Sequence, residues 1–172
     1  AQNNRIAFGI LQEYARSGLI ERMLFVDRER LEPLVGAVPL NLYEKRIGTI
    51  LSYSIAMLLY FENSKSVMSG IAERPVGCRL ATLGVSSLAE DHTPPISLLY
   101  PVESPRIVEF YYGIPAAEIE TSTDLVTKIK SHVETNSVIF GKACSFSYSV
   151  VPLKTEESYL LGVVYVSEPL LP

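Results

Sequence analysis

The sequence predicts an α/β to α+β protein: a helix and strand, a long helix, and then a roughly four-stranded mixed sheet with a helix packed on one face. Three observations carry this. Apolar residues recur at helical spacing in two N-terminal segments, four apolar runs of strand length follow, and one further helical stripe lies between two of those runs. The 172 residues suffice for one domain with a real core. The 48% hydrophobic content and ten tyrosines place the chain among packed globular proteins.

Taken in order, Ile6, Ile10, Leu11, Tyr14 and Ala15 predict an amphipathic helix that Gly18 stops. Met23 to Val26 is a short apolar run bounded by charges, as in a buried strand, with Asp27 at its C-terminal end, where open α/β sheets place ligands. From Leu40 to Phe61, the positions Leu40, Tyr43, Ile47, Ile50, Leu51, Ile55 and Leu58 cover more than one face, so this helix is expected to pack on several sides. The polar stretch 62–77, with Gly70 and Gly77, reads as a boundary loop.

"CRLATLGVSS" reads as a strand, "EDHTPPIS" as a loop broken by Pro94 and Pro95, and "RIVEFYYGI" as a second strand. Thr121 and Asp124 make a capping-box-like start for a helix whose apolar face is Leu125, Val126, Ile129 and Val133. Lys128, Lys130 and His132 then fall toward its C-terminal end. "SVIFGKACSFSYSVV" and "SYLLGVVYVSEPL" close the sheet as an expected antiparallel pair.

Composition argues against several functions. A net charge of -4 without a block of Lys or Arg offers little to a phosphate backbone, so nucleic acid is not an expected partner. The longest uncharged stretch, Ile47 to Phe61, has 15 residues, short of the roughly 18 to 20 that cross a bilayer. No signal-peptide pattern opens the chain, and a cytoplasmic location is expected. Cys78 and Cys144 lie far apart in or beside apolar runs, as buried thiols of a reducing compartment do.

The chemistry-bearing residues are few. His92, in the Pro-rich loop, and His132 are the two histidines, and neither spacing forms a nucleophile–base pair, so exposed or capping roles are expected. With Cys78 and Cys144 they lack metal-ligand spacing, and no metal is expected. No P-loop and no G-x-G-x-x-G occurs. Tyr111, Tyr112, Tyr159 and Tyr165 sit in strand-like runs without basic neighbours and read as packing rather than as a stacking platform. A pocket built from Arg5, Asp27 and Glu44 is the alternative location for a ligand should this be a small stand-alone α+β enzyme or binding domain.

Several strings in this order resemble one family. "NNRIAF" with its helix, "MLFVDRERL" and the long helix, then "RIVEFYYGIPAAEIETSTDLVTKIKSHVETNSVIFGKA" and "SYLLGVVYVSEP", resemble the tubulin/FtsZ superfamily from just before its central helix to its last strand. The resemblance implies the tail of a GTPase-like α/β domain at 1–38, a central helix at 39–61, a linker at 62–77 and a C-terminal domain at 78–172. It implies head-to-tail self-association into filaments. It also implies GTP as the cofactor of a full-length protein, because the family's phosphate-cradling loop lies upstream of everything quoted; the chain by itself is then expected to bind no nucleotide and to be inactive.

Within that resemblance Arg5 falls where relatives carry an arginine near the terminal phosphates, Asp27 where an asparagine contacts guanine, and Tyr43 near the aromatic that stacks on the base. Ile47 or Gly48 stands where a polar residue is expected one helical turn after that aromatic. The acidic loop that completes a neighbouring subunit's site is reduced to Glu62 and Glu73, the two candidate catalytic carboxylates. These departures keep open a non-hydrolysing relative that regulates a filament-forming partner.

Overall fold

The computed structural model describes residues 2–70, 75–86 and 96–170, with side chains from Arg5 onward. Among the described residues, five helices and seven strands follow in the order α1 (Gln2–Ser17), β1 (Met23–Phe25), α2 (Arg28–Val35), α3 (Leu40–Glu62), β2 (Met68–Gly70), β3 (Leu80–Ser86), β4 (Ser97–Leu98), β5 (Ile107–Pro115), α4 (Ala116–Thr121), α5 (Leu125–Phe140), β6 (Ser145–Leu153) and β7 (Tyr159–Val166).

One mixed sheet runs β1-β3-β7-β5-β6-β2, with β4 on the edge of β3. The four long strands lie on the expected apolar runs, except that Ser137–Phe140 of the third run belongs to α5, and the short β1, β2 and β4 extend them, with β2 inside the stretch 62–77 that reads as a loop. β1 is parallel to β3 and β5 is parallel to β6, whereas β7 is antiparallel to both β3 and β5. The last two strands are therefore not the hairpin that their order predicts. They flank β5 on opposite sides, because the α4–α5 crossover returns the chain parallel to β5 and leaves only its far edge for β7.

Both faces of the sheet are covered. On one, Leu58 and Phe61 of α3 and Leu31 and Val35 of α2 pack on Leu83, Val163 and Leu161. On the other, Leu125 and Ile129 of α5 meet Val108, Phe110, Tyr112 and Ile114, the alternate residues of β5. A strand buried on both faces reads as the near-continuous apolar run that "RIVEFYYGI" is.

α1 departs from its expected docking. Ala15 is fully buried against Phe25 and Leu80, but Ile6, Ile10, Leu11 and Tyr14 remain exposed, and the buried contact on the other flank is Gln12. Gln12 is satisfied there, its side-chain oxygen accepting the Leu170 backbone N–H at 2.7 Å. The start of α5 also differs. Thr121 ends α4, and the Asp124 carboxylate makes no backbone cap; it accepts from the Ser122 hydroxyl at 2.7 Å and pairs with Lys128 at 3.0 Å, which holds it below the usual carboxylate range.

α5 runs on to Phe140, so Lys128, Lys130 and His132 lie mid-helix, and His132 is buried rather than exposed. His92, Glu73 and the Pro94–Pro95 loop fall outside the described residues. Cys78 and Cys144 are buried and form no disulfide, and burial pushes the Cys144 thiol up to about 11.

Candidate functional site

Asp27 follows β1 and begins α2. Its N–H donates to the Leu99 carbonyl at 2.6 Å, and its carboxylate accepts the Glu29 N–H at 2.9 Å as the N-cap of α2. The next residue, Arg28, pairs with Glu44 of α3. Tyr43 is half-buried beside this pair, against the core cluster that contains Leu31 and Val35, and its phenol is raised by burial and by the nearby Glu32 carboxylate. The α2–α3 seam thus brings Asp27, Tyr43 and Glu44 to one place.

Arg5 is exposed on α1, ten residues and about 15 Å of helical rise from Ala15, the residue that docks this helix. Asp27, Tyr43 and Glu44 meet at the seam, whereas α1, which carries Arg5, docks through Ala15 on Phe25 and Leu80, on the opposite face of the sheet from Ala81, Leu83 and the α2–α3 layer. Beside the seam lies an open groove of about 440 Å³, floored by Val35, Val38 and Leu42 and rimmed by Lys45, Arg46 and Thr49. Leu42, Lys45, Arg46 and Thr49 share one side of α3 by their spacing of three and four.

Glu62 is the last residue of α3 and is engaged. Arg22 grips it with two hydrogen bonds, Nη1 to Oε1 at 2.5 Å and Nη2 to Oε2 at 2.9 Å, and a third from Nη1 reaches the Tyr165 hydroxyl at 3.0 Å. Tyr165 and Tyr111 both donate to Glu109 Oε2, at 3.2 and 3.3 Å. Its hydrogen bonds to Glu62 hold the Arg22 guanidinium above its ordinary range, and burial raises the Tyr111 phenol. This network ties the residue before β1, the end of α3 and two strands together. Sequence reasoning missed it because Arg22 lies 40 positions from Glu62 and 143 from Tyr165.

A second buried network surrounds His132. Asn136 accepts the Ile96 N–H at 3.3 Å with Oδ1, which leaves its Nδ2 to donate to His132 Nε2 at 2.9 Å. Nε2 therefore accepts, the neutral ring carries its proton on Nδ1, and Nδ1 donates to the Tyr112 oxygen at 2.6 Å. Phe110 and Tyr112 pack edge-on against the ring. Burial lowers its pKa to about 4. A signal for this existed in the sequence: His132 and Asn136 continue the stripe of Leu125 and Ile129 at the same spacing.

Chemically, the seam offers a carboxylate, a phenol and a groove rimmed by two cations. Among the described residues no group of His, Cys, Asp and Glu is placed to hold a metal ion, and no helix is long and apolar enough to cross a membrane.

No family model and no curated protein matches the sequence. Solved structures are. An FtsZ dimer from M. jannaschii superposes with a TM-score of 0.62 at 16% identity over 91% of this chain and 50% of that one. CetZ from Methanosaeta thermophila gives 0.54 at 16%, covering 86% and 43%. TubZ of Bacillus thuringiensis serovar israelensis, in a GTPγS-form protofilament, gives 0.58 at 9%, covering 96% and 48%. The chain thus has a tubulin/FtsZ-like fold, the C-terminal part, and spans about half the length of the structures it matches.

Proposed function

We propose that this chain is the central helix and C-terminal part of a tubulin/FtsZ-like cytoskeletal protein, whose work is head-to-tail assembly into GTP-dependent filaments in the cytoplasm, as in cell division. The observation that carries the reading is the match of nine-tenths of the chain to FtsZ, supported by the protofilament state of the TubZ structure. Filaments follow when a heterologous interface does not close on itself. In this reading Asp27 and Tyr43 approach the base of GTP at the α2–α3 seam, Arg5 approaches its phosphates, and an upstream glycine-rich loop completes the site. Hydrolysis requires that loop.

The test is sedimentation of the native gene product with GTP and with GDP. Assembly predicts a pellet with GTP that is lost with GDP, and an Arg5→Ala variant that needs about tenfold more GTP to pellet. No nucleotide-dependent pellet at any protein concentration contradicts it.

One observation favours a second reading, a non-hydrolysing regulator of a filament-forming relative. Glu62, one of the two candidate catalytic carboxylates, is held by Arg22 rather than presented to water. A native product that alters the pelleting of such a relative, without pelleting alone, selects this reading.

A further inference from the structure

Residues 96–99 cross the edge of the sheet as a strap. Ile96 seats its side chain in the slot left by Gly84 and Gly162, where an added Cβ would lie 2.6 or 2.7 Å from Ile96 Cδ1. Ser97 and Leu98 form β4 against Val85 and Gly84. Leu99, fully buried, donates its N–H to the Leu83 carbonyl at 2.8 Å, and its own carbonyl accepts the N–H of Asp27, the N-cap of α2, at 2.6 Å. The strap therefore links β3 to the start of α2.

The N-terminal end of the strap is held from α5. The Ile96 N–H donates to Asn136 Oδ1 at 3.3 Å. Asn136 is fully buried, and its Nδ2 donates both to His132 Nε2 and to the His132 carbonyl, each at 2.9 Å. A neutral His132, with its proton on Nδ1 toward the Tyr112 oxygen, satisfies every member of this chain of hydrogen bonds.

A protonated His132 cannot. It carries an N–H on both ring nitrogens, so Nε2–H faces the Asn136 amide donor. Turning the amide over would present Oδ1 to the ring, but it would also set oxygen against the His132 carbonyl and aim Nδ2 at the Ile96 N–H. Either arrangement strands a buried donor, the costly condition for a hydrogen-bonding group. The neighbours offer no relief. The other titratable groups in the surrounding cluster are the Tyr112 phenol of β5, the Tyr148 phenol of β6 and the Cys144 thiol. Burial raises the Tyr112 phenol and pushes Cys144 up to about 11, so neither becomes an anion as the pH falls. Ile96 is 8% exposed, against 1% for His132 and 0% for Asn136, and it adjoins a two-residue edge strand. It is the member that can turn its N–H to water.

We propose that His132 and Asn136 form a pH-sensitive latch: with His132 neutral they hold the strap 96–99 on the sheet, and with His132 protonated they release Ile96, freeing β4 and the Leu99 carbonyl that holds the N-cap of α2. The buried histidine on one face of the sheet is thereby coupled to the α2–α3 seam on the other. The latch is closed near neutral pH and opens on acidification.

The experiment is amide hydrogen exchange of the native gene product between pH 7 and pH 4, corrected for the intrinsic rate at each pH. The strap amides of Ile96 and Leu99 and the Asp27 amide are compared with β7, which is hydrogen-bonded on both sides. Protection of the strap should fall at least about tenfold relative to β7, as the loss of one buried hydrogen bond requires, with a midpoint that coincides with the titration of the His132 ring followed by NMR. In His132→Gln the fall should vanish, and in Asn136→Ala the strap should be weakly protected at both pH values. Strap and β7 losing protection together, or a strap that keeps its protection through the ring's titration, overturns the latch, and both are read on the wild-type protein. A fall that persists in a folded His132→Gln also overturns it.

Discussion

At the scale of single residues, the His132 network has consequences that can be measured. Protonating His132 puts a proton on Nε2, where the Asn136 amide already donates, and two donors then face each other. The depressed pKa of about 4 follows from burial and agrees with that conflict. The unfolded chain takes up the proton near pH 6.5 and the folded chain only near 4, so the stabilisation is complete above 6.5 and is lost as the pH falls to 4. Allowing for solvent screening, the loss is about 2 kcal/mol. Urea unfolding at pH 7 and pH 4 should show it as a steeper acid loss in the wild type than in His132→Gln. Equal losses in the two proteins would remove His132 from the account.

Ile96, the residue that Asn136 holds, is seated between two glycines. A Cβ on Gly84 would lie 2.6 Å from Ile96 Cδ1, and one on Gly162 would lie 2.7 Å from the same atom. The two glycines are direct cross-strand partners, so they open one slot on the sheet. Gly162→Ala should destabilise by roughly 1–3 kcal/mol through overpacking, read as a fall in thermal midpoint. An Ile96→Val, Gly162→Ala pair should recover part of it, and a double variant no better than the single one would place the strain elsewhere.

At the scale of elements, the Arg22–Glu62 grip fixes where α3 ends against the sheet. Both side chains are largely covered, at 17 and 25% exposure, and the contact is bidentate, so the pair should couple more strongly than a surface ion pair. A double-mutant cycle with Arg22→Ala and Glu62→Ala should give a coupling of about 1–2 kcal/mol. A coupling near zero would show that α3 is held by its apolar contacts alone. By contrast, Arg28 and Glu44, exposed at 57 and 70%, should couple weakly.

The elements also show what a sequence can and cannot reveal. α1, α3 and α5 were legible because each carries a helical period, and the four long strands because each is an apolar run. α2 was not, since Pro33 and a run of charges obscure an eight-residue helix whose stability comes from Leu31 and Val35 on the core and from the Asp27 cap. The pairing of β5 with both β6 and β7 was hidden because order along the chain does not encode which edge a crossover leaves open. For the candidate site, Asp27 and Tyr43 could be named from the resemblance and do share a seam. Asp27's partner is local, the Glu29 N–H that it caps, whereas Tyr43 comes near the Glu32 carboxylate only through the packing of α2 on α3.

At the scale of the whole molecule, the tubulin/FtsZ-like fold covers the sheet with helices on both faces, and α1 keeps Ile6, Ile10, Leu11 and Tyr14 exposed. Ile6→Glu with Ile10→Glu on the 172-residue chain should leave the thermal midpoint within a few degrees, since neither side chain is buried there. The proposed function requires that this chain work as one half of a larger tubulin-like molecule.

Intact mass spectrometry of the endogenous gene product tests that most directly. The account predicts about twice the 19.0 kDa of this chain, in line with the half-length match to FtsZ and TubZ. An endogenous product of 19.0 kDa would contradict it.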